Sequence, residues 1–410
     1  MQDTALFETI LGLQAPWHVA RVTLDPSGER VDLWVEHTVG VPWTCAECDH
    51  TGPGHDHADE RVWRHLDTCQ YQTFLHARIP RIQCPTHGVR QVRVPWAAPR
   101  SRFTLLLERF VIDLIRQCST VTGACRIARL SWDEAWGIME RAVERGQARK
   151  VAVPTPYVGV DEKAFRKGHQ YHTIVCDLER RTVEFVAEGR TTDSLAAYYA
   201  ALTAAQREGL QAVAMDMWPA YIRATTDGLR DGDQKIVFDR FHIMRAVTDA
   251  VDRVRKAEHR AFLRAGDASP LTRTKYTWLK NEEHLTAEQA EALALLHTHG
   301  LKVSRAWALK ETLRALWAYR RRHAAARFFD GWYAWAIRSR LEPMKGAARM
   351  IKRHLDGVLR YAQHPITNGV AEGINSKIMS IKRKAGGFRN AQHFTTAIYF
   401  HCGGLDLYPR

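Results

Sequence analysis

Tyr157-Val158-Gly159-Val160-Asp161 is a short apolar run that ends on an acid. An unbroken apolar run of this length, entered from Pro154 and Pro156, reads as a buried strand rather than a helix. The pattern returns at Ala212-Val213-Ala214-Met215-Asp216 and at Lys235-Ile236-Val237-Phe238-Asp239. Between the first two copies, residues 171–177 and 182–188 form strand patterns around the polar turn Glu179-Arg180-Arg181, and residues 194–205 read as a helix. Strands interspersed with helices predict an α/β unit.

Downstream, residues 240–344 are helical and basic, with interleaved aromatics. Ala306, Leu309, Leu313, Leu316 and Trp317 share an apolar face, followed by Arg320-Arg321-Arg322, then by Phe328, Trp332 and Trp335 on the next helix. Aromatics beside arginine can stack on nucleic acid, but at helical spacing they read first as core. The stretch Thr367-Asn368-Gly369-Val370-Ala371-Glu372-Gly373-Ile374-Asn375 then opens a helix, with Pro365 and Thr367 as start signals and Gly386-Gly387 as the stop. Asn368, Glu372 and Asn375 lie on one face of it, and Val370, Ile374, Ile378 and Ile381 form an apolar stripe on the other. Two turns on come Lys382-Arg383-Lys384. One carboxylate beside cations on a rigid element suits metal-dependent work on a phosphate backbone. The alternative is a surface helix with an ordinary Glu.

Upstream, residues 1–100 are β-rich. Strand patterns at 19–24 and 31–37 flank the turn Asp25-Pro26-Ser27-Gly28, and a second strand pair is expected around 71–82. Cys45-x-x-Cys48 and Cys84-x-x-His87 are two chelating pairs whose short internal spacing suits one tetrahedral Zn²⁺. His50, His55 and His57 are alternative ligands, Cys69 reads as a small core residue, and unrelated free cysteines are the alternative to a zinc site. Four protein ligands leave no open position, so such a zinc is structural. Residues 101–150 turn helical. Phe103, Leu107, Phe110, Val111 and Leu114 recur at helical period, and a short helix over 121–129 follows Ser119-Thr120. Ser131 and Glu134 form a capping box ahead of a third helix with Trp132, Ala135, Trp136, Met139 and Val143 facing inward. On a basic chain this reads as a helix-turn-helix with the third helix as reader, against a plain three-helix unit.

The chain has 410 residues, enough for two to four domains. Its formal charge of +14 favours a polyanionic partner, nucleic acid above all, with an anionic membrane surface as the competitor. No apolar run reaches bilayer-spanning length and Met1-Gln2-Asp3-Thr4 begins no signal peptide, so membrane insertion is not expected and a cytosolic location is. Eight cysteines in such a chain suggest metal or packing roles rather than disulfides.

Asp161, Asp216 and Glu372 stand out together. Carboxylates at adjacent strand ends, with one more on a packed helix, can hold two divalent cations for an in-line phosphoryl displacement, and Mg²⁺ suits such oxygen ligands. The surrounding words carry a resemblance. Asp161-Glu162-Lys163-Ala164-Phe165-Arg166-Lys167-Gly168-His169-Gln170-Tyr171 and Met215-Asp216-Met217-Trp218-Pro219-Ala220-Tyr221 resemble the blocks around the first two catalytic acids of DDE transposases of the ISL-three insertion-sequence family. Phe238-Asp239-Arg240-Phe241-His242, and Asn368-Gly369 through Glu372-Gly373-Ile374-Asn375 to Gly387-Phe388-Arg389-Asn390, are similar to two further signatures. Cys45-x-x-Cys48, His65-Leu66-Asp67 and Cys84-x-x-His87 resemble its N-terminal zinc-binding region.

The resemblance implies a ribonuclease-H-like core with a helical insertion, behind a β-rich zinc-binding domain and a helix-turn-helix. The units expected are 1–100, 101–150, 151–240 (core, first part), 241–344 (insertion) and 345–410 (core, with the Glu). It implies Asp161, Asp216 and Glu372 as ligands of two Mg²⁺ ions (Mn²⁺ may substitute), and Glu162, Asp239, His242, Asn368 and Asn375 as supporting residues. Lys382, Arg383, Lys384 and Arg389 would hold phosphates of double-stranded DNA. Paired end-cutting implies a homodimer or larger assembly. The function expected is Mg²⁺-dependent cleavage at the element's terminal inverted repeats, then strand transfer. The alternatives are a non-catalytic zinc and helix-turn-helix DNA binder, such as a transposase relic acting as repressor, and a nuclease unable to join ends.

Overall fold

The computed structural model describes residues 3–118, 120–166 and 170–410. Met1, Gln2, Ser119 and Lys167-Gly168-His169 lie outside the described residues, the last three within the word around Asp161.

The N-terminal part begins with α1 (Asp3–Leu11), then β1 (Trp17–Asp25) and β2 (Arg30–His37), paired antiparallel as the turn composition predicts. Asp25 makes that turn, its Oδ1 accepting from the amides of Ser27 and Gly28 at 3.1 and 3.0 Å. The short strands β3 (Trp43–Thr44) and β4 (Thr51–Gly52) form a separate hairpin. Next come β5 (Gly54–Arg64), β6 (Gln72–Cys84) and β7 (Gly88–Gln91), giving a sheet of order β1-β2-β6-β5 with β7 beside β6. The strand pair expected around 71–82 is instead one long strand, β6, whose antiparallel partner β5 comes from 54–64. The sequence conceals β5 because it is mostly solvated: GHDHADERVWR buries only its last two residues, so it lacks an apolar alternation. Cys69 is exposed, not core, because it sits with φ 55° in the tight turn closed by Thr68 and Tyr71.

Three helices follow, α2 (Leu105–Cys118), α3 (Val121–Ala128) and α4 (Trp132–Ala148). The capping box at Ser131 and Glu134 is formed. Glu108, fully buried on α2, accepts from Arg141 and Arg145 of α4 and so ties these helices together. Two inward assignments fail. Phe110 lies off the stripe of Leu107, Val111 and Ile115 and is 40% exposed, and Trp132, the first residue of α4, is 42% exposed with its ring stacked on Trp136.

The second sheet holds β8 (Tyr157–Arg166), β9 (Gln170–Asp177) and β10 (Thr182–Glu188). After them come α5 (Thr192–Ala201), α6 (Ala204–Gly209), β11 (Ala212–Met215), α7 (Pro219–Gly228) and β12 (Ile236–Phe238). The order is β10-β9-β8-β11-β12, antiparallel from β10 to β8 and parallel from β8 to β12. The single helix expected over 194–205 is broken, because Leu202 is extended and Thr203 caps a new helix with Gln206.

The helical stretch contains α8 (Arg240–Arg264), α9 (Lys275–Leu279), α10 (Ala287–Thr298), α11 (Lys302–Arg314), α12 (Arg322–Arg338), α13 (Glu342–Arg353) and α14 (Leu355–Leu359). The chain then returns through α15 (Gly369–Lys384) and α16 (Ala391–Cys402). Ala306, Leu309, Leu313 and Leu316 are core, and Trp332 is buried with its indole N–H donating to the Leu309 carbonyl, while Trp335 is 42% exposed. One face of the second sheet (Val158, Val160, Val213, Met215) packs with α5, α7 and the helical stretch. The other (Ile174, Cys176, Val183) packs with α15, α16 and the three helices α2–α4 in one continuous core. The first sheet has a core of its own. No helix among the described residues is long and apolar enough to cross a membrane.

Candidate active site and zinc centre

The β3–β4 hairpin presents Cys45 and Cys48, and the turn between β6 and β7 presents Cys84 and His87. Their sulfur and nitrogen atoms converge: Cys48 Sγ to Cys84 Sγ is 3.7 Å, Cys84 Sγ to His87 Nδ1 is 3.5 Å and Cys45 Sγ to His87 Nδ1 is 3.9 Å. A tetrahedron built on Zn–S bonds of about 2.3 Å has edges of about 3.8 Å. The donor set is therefore that of a closed Cys₃His zinc centre. His50, His55 and His57 are not in this group; His57 faces His37 instead, Nε2 to Nε2 at 2.8 Å.

The acids lie at the other sheet. β8 runs parallel to β11 with Gly159 opposite Ala214, and β11 parallel to β12 with Met215 opposite Phe238. Continued along the strands, that register sets Asp161 beside Asp216 and Asp216 beside Asp239. The ladder does continue, because the Asp239 amide donates to the Met215 carbonyl at 2.9 Å. Three adjacent parallel strands thus carry an acid at the same level, about 4.8 Å apart by strand spacing. Asp216 and Asp239 follow the carboxyl ends of β11 and β12, where open α/β sheets bind their ligands. Asp161, expected at a strand end, lies instead in the middle of β8, because that strand runs on to Arg166 beside β9.

Helix α15 closes this row from above. The Asn368 side chain donates to the Val160 carbonyl at 3.0 Å, and its amide to Asp239 Oδ1 at 3.3 Å. Two turns on, Asn375 Nδ2 donates to Asp161 Oδ2 at 2.6 Å. The helix approaches the sheet this closely because residue 159 is Gly, where a Cβ would stand 2.5 Å from Asn368 Oδ1. The face carrying Asn368 and Asn375 is therefore buried against the strands as well as the apolar stripe, with Glu372 half-buried between them.

Charge in this cluster is poorly neutralised. Burial raises the Asp161 and Asp216 carboxyls above their usual range, with Asp216 adding to the first and Asp239 to the second. Glu372 is raised by burial and by Asp239 and Asp161, while Glu162 is pushed to about 7 by burial and by Asp216 and Asp161. His242 opposes the shift in all four. Arg190, 3.7 Å from Glu162, is held over the rings of Trp218 and Tyr171. Such a set of carboxylates gains from a bound cation, which becomes the largest local charge.

The structure brings Asp161, Glu162, Asp216, Asp239, His242, Asn368, Glu372 and Asn375 into one cluster. Within it Glu372 groups tightly with Asp239 and His242, whose ligand atoms all lie within 4.8 Å of one another. No group of three that includes Asp161 or Asp216 meets that spacing among the described residues. The reason is the seating of α15, which sets Asn375 rather than Glu372 against Asp161. The signal for Asp239 was present in its strand, which repeats the pattern of the other two. Lys382 donates to the Ala164 carbonyl at 3.1 Å, while Arg383, Lys384 and Arg389 are exposed. Arg166, not singled out from the sequence, reaches the Arg389 carbonyl and so pins the loop after α15 to β8.

Residues 158–398 match the transposase model of the DDE class in family ISL3. Residues 92–143 match the helix-turn-helix domain of transposase family ISL3, and residues 41–87 the zinc-finger of transposase IS204/IS1001/IS1096/IS1165. The chain is 28% identical to the transposase for insertion sequence element IS1557 of Mycobacterium tuberculosis, over 96% of this chain and 94% of that protein. It is 29% identical to the transposase for insertion sequence element IS1001 of Bordetella parapertussis, over 96% of this chain and 97% of that one. With the zinc centre, the three-helix unit and the acid-bearing sheet in the order of those matches, the chain belongs to the ISL3 family of insertion-sequence transposases.

Proposed function

We propose that the protein cuts DNA at the terminal inverted repeats of an insertion sequence and joins the freed 3′-hydroxyl ends to target DNA, using divalent cations held by Asp161, Asp216 and Glu372. The observation that carries this reading is the row of acids on three adjacent parallel strands under the helix that bears Glu372. A sheet of three antiparallel strands continued by two parallel ones supports a ribonuclease-H-like core, interrupted by the helical stretch between Asp216 and Glu372. On this reading the chain divides at 1–100, 101–150, 151–240, 241–344 and 345–410.

The donor set fits hard cations: it is rich in carboxylate oxygen, and Asp239 Oδ2 is buried with no hydrogen-bond partner. A bound Mg²⁺, or Mn²⁺ in its place, supplies an activated water and charge neutralisation at the phosphate. The chain's own groups prepare the site. Asn375 and the Glu162 amide (2.8 Å) orient the Asp161 carboxylate, and the Trp218 amide holds Asp216 Oδ1 at 3.1 Å. Lys382, Arg383, Lys384 and Arg389 line the exit of α15, where they hold the DNA backbone. The zinc ribbon and α2–α4 bind the ends, and cutting two ends calls for a homodimer or larger assembly.

The test is Mg²⁺-dependent cleavage and strand transfer on DNA carrying the element's ends. Asp216→Asn and Glu372→Gln should abolish both reactions and leave end binding intact, with binding falling by a log–log salt slope of about −0.9 per phosphate neutralised. Full activity in either variant overturns the assignment. End binding without product from the wild type makes the protein a non-catalytic DNA binder, and cleavage without joining makes it a nuclease.

A further inference from the structure

We propose that Asp239, His242 and Glu372 together bind one divalent ion directly, so that this centre contains an imidazole nitrogen and favours Mn²⁺ over Mg²⁺. The inference deepens the reading above and rests on it, since it assigns inner-sphere ligands within the same acid cluster.

Asp239 caps α8 at its N-terminus, yet its side chain makes no capping hydrogen bond. An Asp at that position ordinarily accepts from an amide of the first turn. Here Oδ1 instead takes the Asn368 amide of α15, and Oδ2 has no partner although the residue is 2% exposed. A buried carboxylate oxygen without a donor is costly, and a cation is the partner its surroundings suggest. His242 lies three residues on, hence on the same side of α8 as its cap. Glu372 lies in the first turns of α15, anchored to Asp239 through Asn368. The three ligand atoms lie within 4.8 Å of one another, and bonds of about 2.0–2.2 Å to one ion span up to about 4.3 Å. The set needs only a small contraction to close on an ion.

The chemistry of the set decides the ion. Mg²⁺ takes oxygen ligands almost exclusively, whereas imidazole suits transition metals. A direct His242 ligand therefore makes Mn²⁺ the better occupant, with Mg²⁺ bound more weakly at the same place.

The experiment adds Mn²⁺ to the full-length, zinc-loaded protein and reads pulsed electron paramagnetic resonance. The expected result is a ¹⁴N coupling from a directly bound imidazole, converted to the ¹⁵N pattern on labelling histidine. It should disappear in His242→Gln while Mn²⁺ stays bound, and that variant should lose the preference for Mn²⁺ over Mg²⁺. Asp239→Asn should weaken Mn²⁺ binding by more than the roughly 10–100-fold that losing an outer-shell partner costs. If a variant does not fold, the ¹⁵N-histidine spectrum of the wild type decides, because His242 is the histidine grouped with these acids among the described residues. Bound Mn²⁺ without nitrogen coupling, or a coupling that survives in His242→Gln, overturns the inference and leaves the transposase reading standing. No Mn²⁺ binding at all, together with no Mg²⁺-dependent cleavage, overturns both.

Discussion

Cys45, Cys48, Cys84 and His87 come from two turns, one in the separate β3–β4 hairpin and one between β6 and β7, whereas the acid cluster is drawn from the middle of β8, the ends of β11 and β12 and the starts of two helices. The zinc ligands arrive as two local pairs, each made by a tight turn, so only the meeting of β6 with the β3–β4 hairpin has to be established by folding. The acids arrive one by one, and their spacing depends on the register of β8, β11 and β12 and on how α15 seats over Gly159. The zinc centre is closed by four protein ligands. The acid centre has raised carboxyls and a buried Asp239 oxygen without a protein donor. One centre holds the chain together, and the other is held by it.

That contrast can be broken most forcefully at the zinc. Structural zinc contributes on the order of 10 kcal/mol in small finger peptides. Chelation, or Cys84→Ser, should therefore unfold the first sheet while the second sheet keeps its fold, because the two have separate cores. Hydrogen exchange with zinc analysis checks this. Loss of protection in β8 and β11 on zinc removal would make the two centres one cooperative unit.

The joint between the regions offers a pH test. His65 is buried with Nδ1 2.9 Å from Thr104 Oγ1, and burial pushes its imidazole down to about 4. A depressed histidine leaves stability intact above its ordinary value near 6.5 and removes it as pH falls from there to about 4, by up to about 3 kcal/mol. Melting of the zinc-loaded protein across that window should show the loss, and His65→Gln should flatten it.

Smaller effects test the acid side. Gly159→Ala forces a methyl against Asn368 Oδ1 and Leu178, at 2.5 and 2.8 Å, and should cost about 1–3 kcal/mol of stability while lifting α15 from the row. Thermal melting and cleavage assays read both effects. Asn375→Ala removes the donor to Asp161 Oδ2 and should lower cleavage about tenfold with zinc content unchanged. Equal loss of zinc in that variant would erase the distinction between the regions.

The same contrast explains what the sequence made legible. Cys-x-x-Cys, Cys-x-x-His and apolar runs ending in acids are local patterns, and local patterns survive in one dimension. β5 was hidden because a solvated strand has no apolar alternation, and the broken helix at Leu202 because Thr203 offered a second start. The shared core of α2–α4 with α15 and α16 joins segments far apart in the chain, and no periodicity announces it. Within the site, the residues that gather could be named from their words. That Glu372 lies with Asp239 and His242 rather than tightly against Asp161 could not, since it follows from the seating of one helix.

The most direct measurement of the central claim is anomalous diffraction from crystals of the zinc-loaded protein saturated with Mn²⁺. Mn²⁺ peaks are expected within bonding distance of the Asp161 and Asp216 carboxylates and of Glu372. Mn²⁺ peaks confined to other parts of the molecule, in a protein that still cleaves its DNA ends, would contradict it.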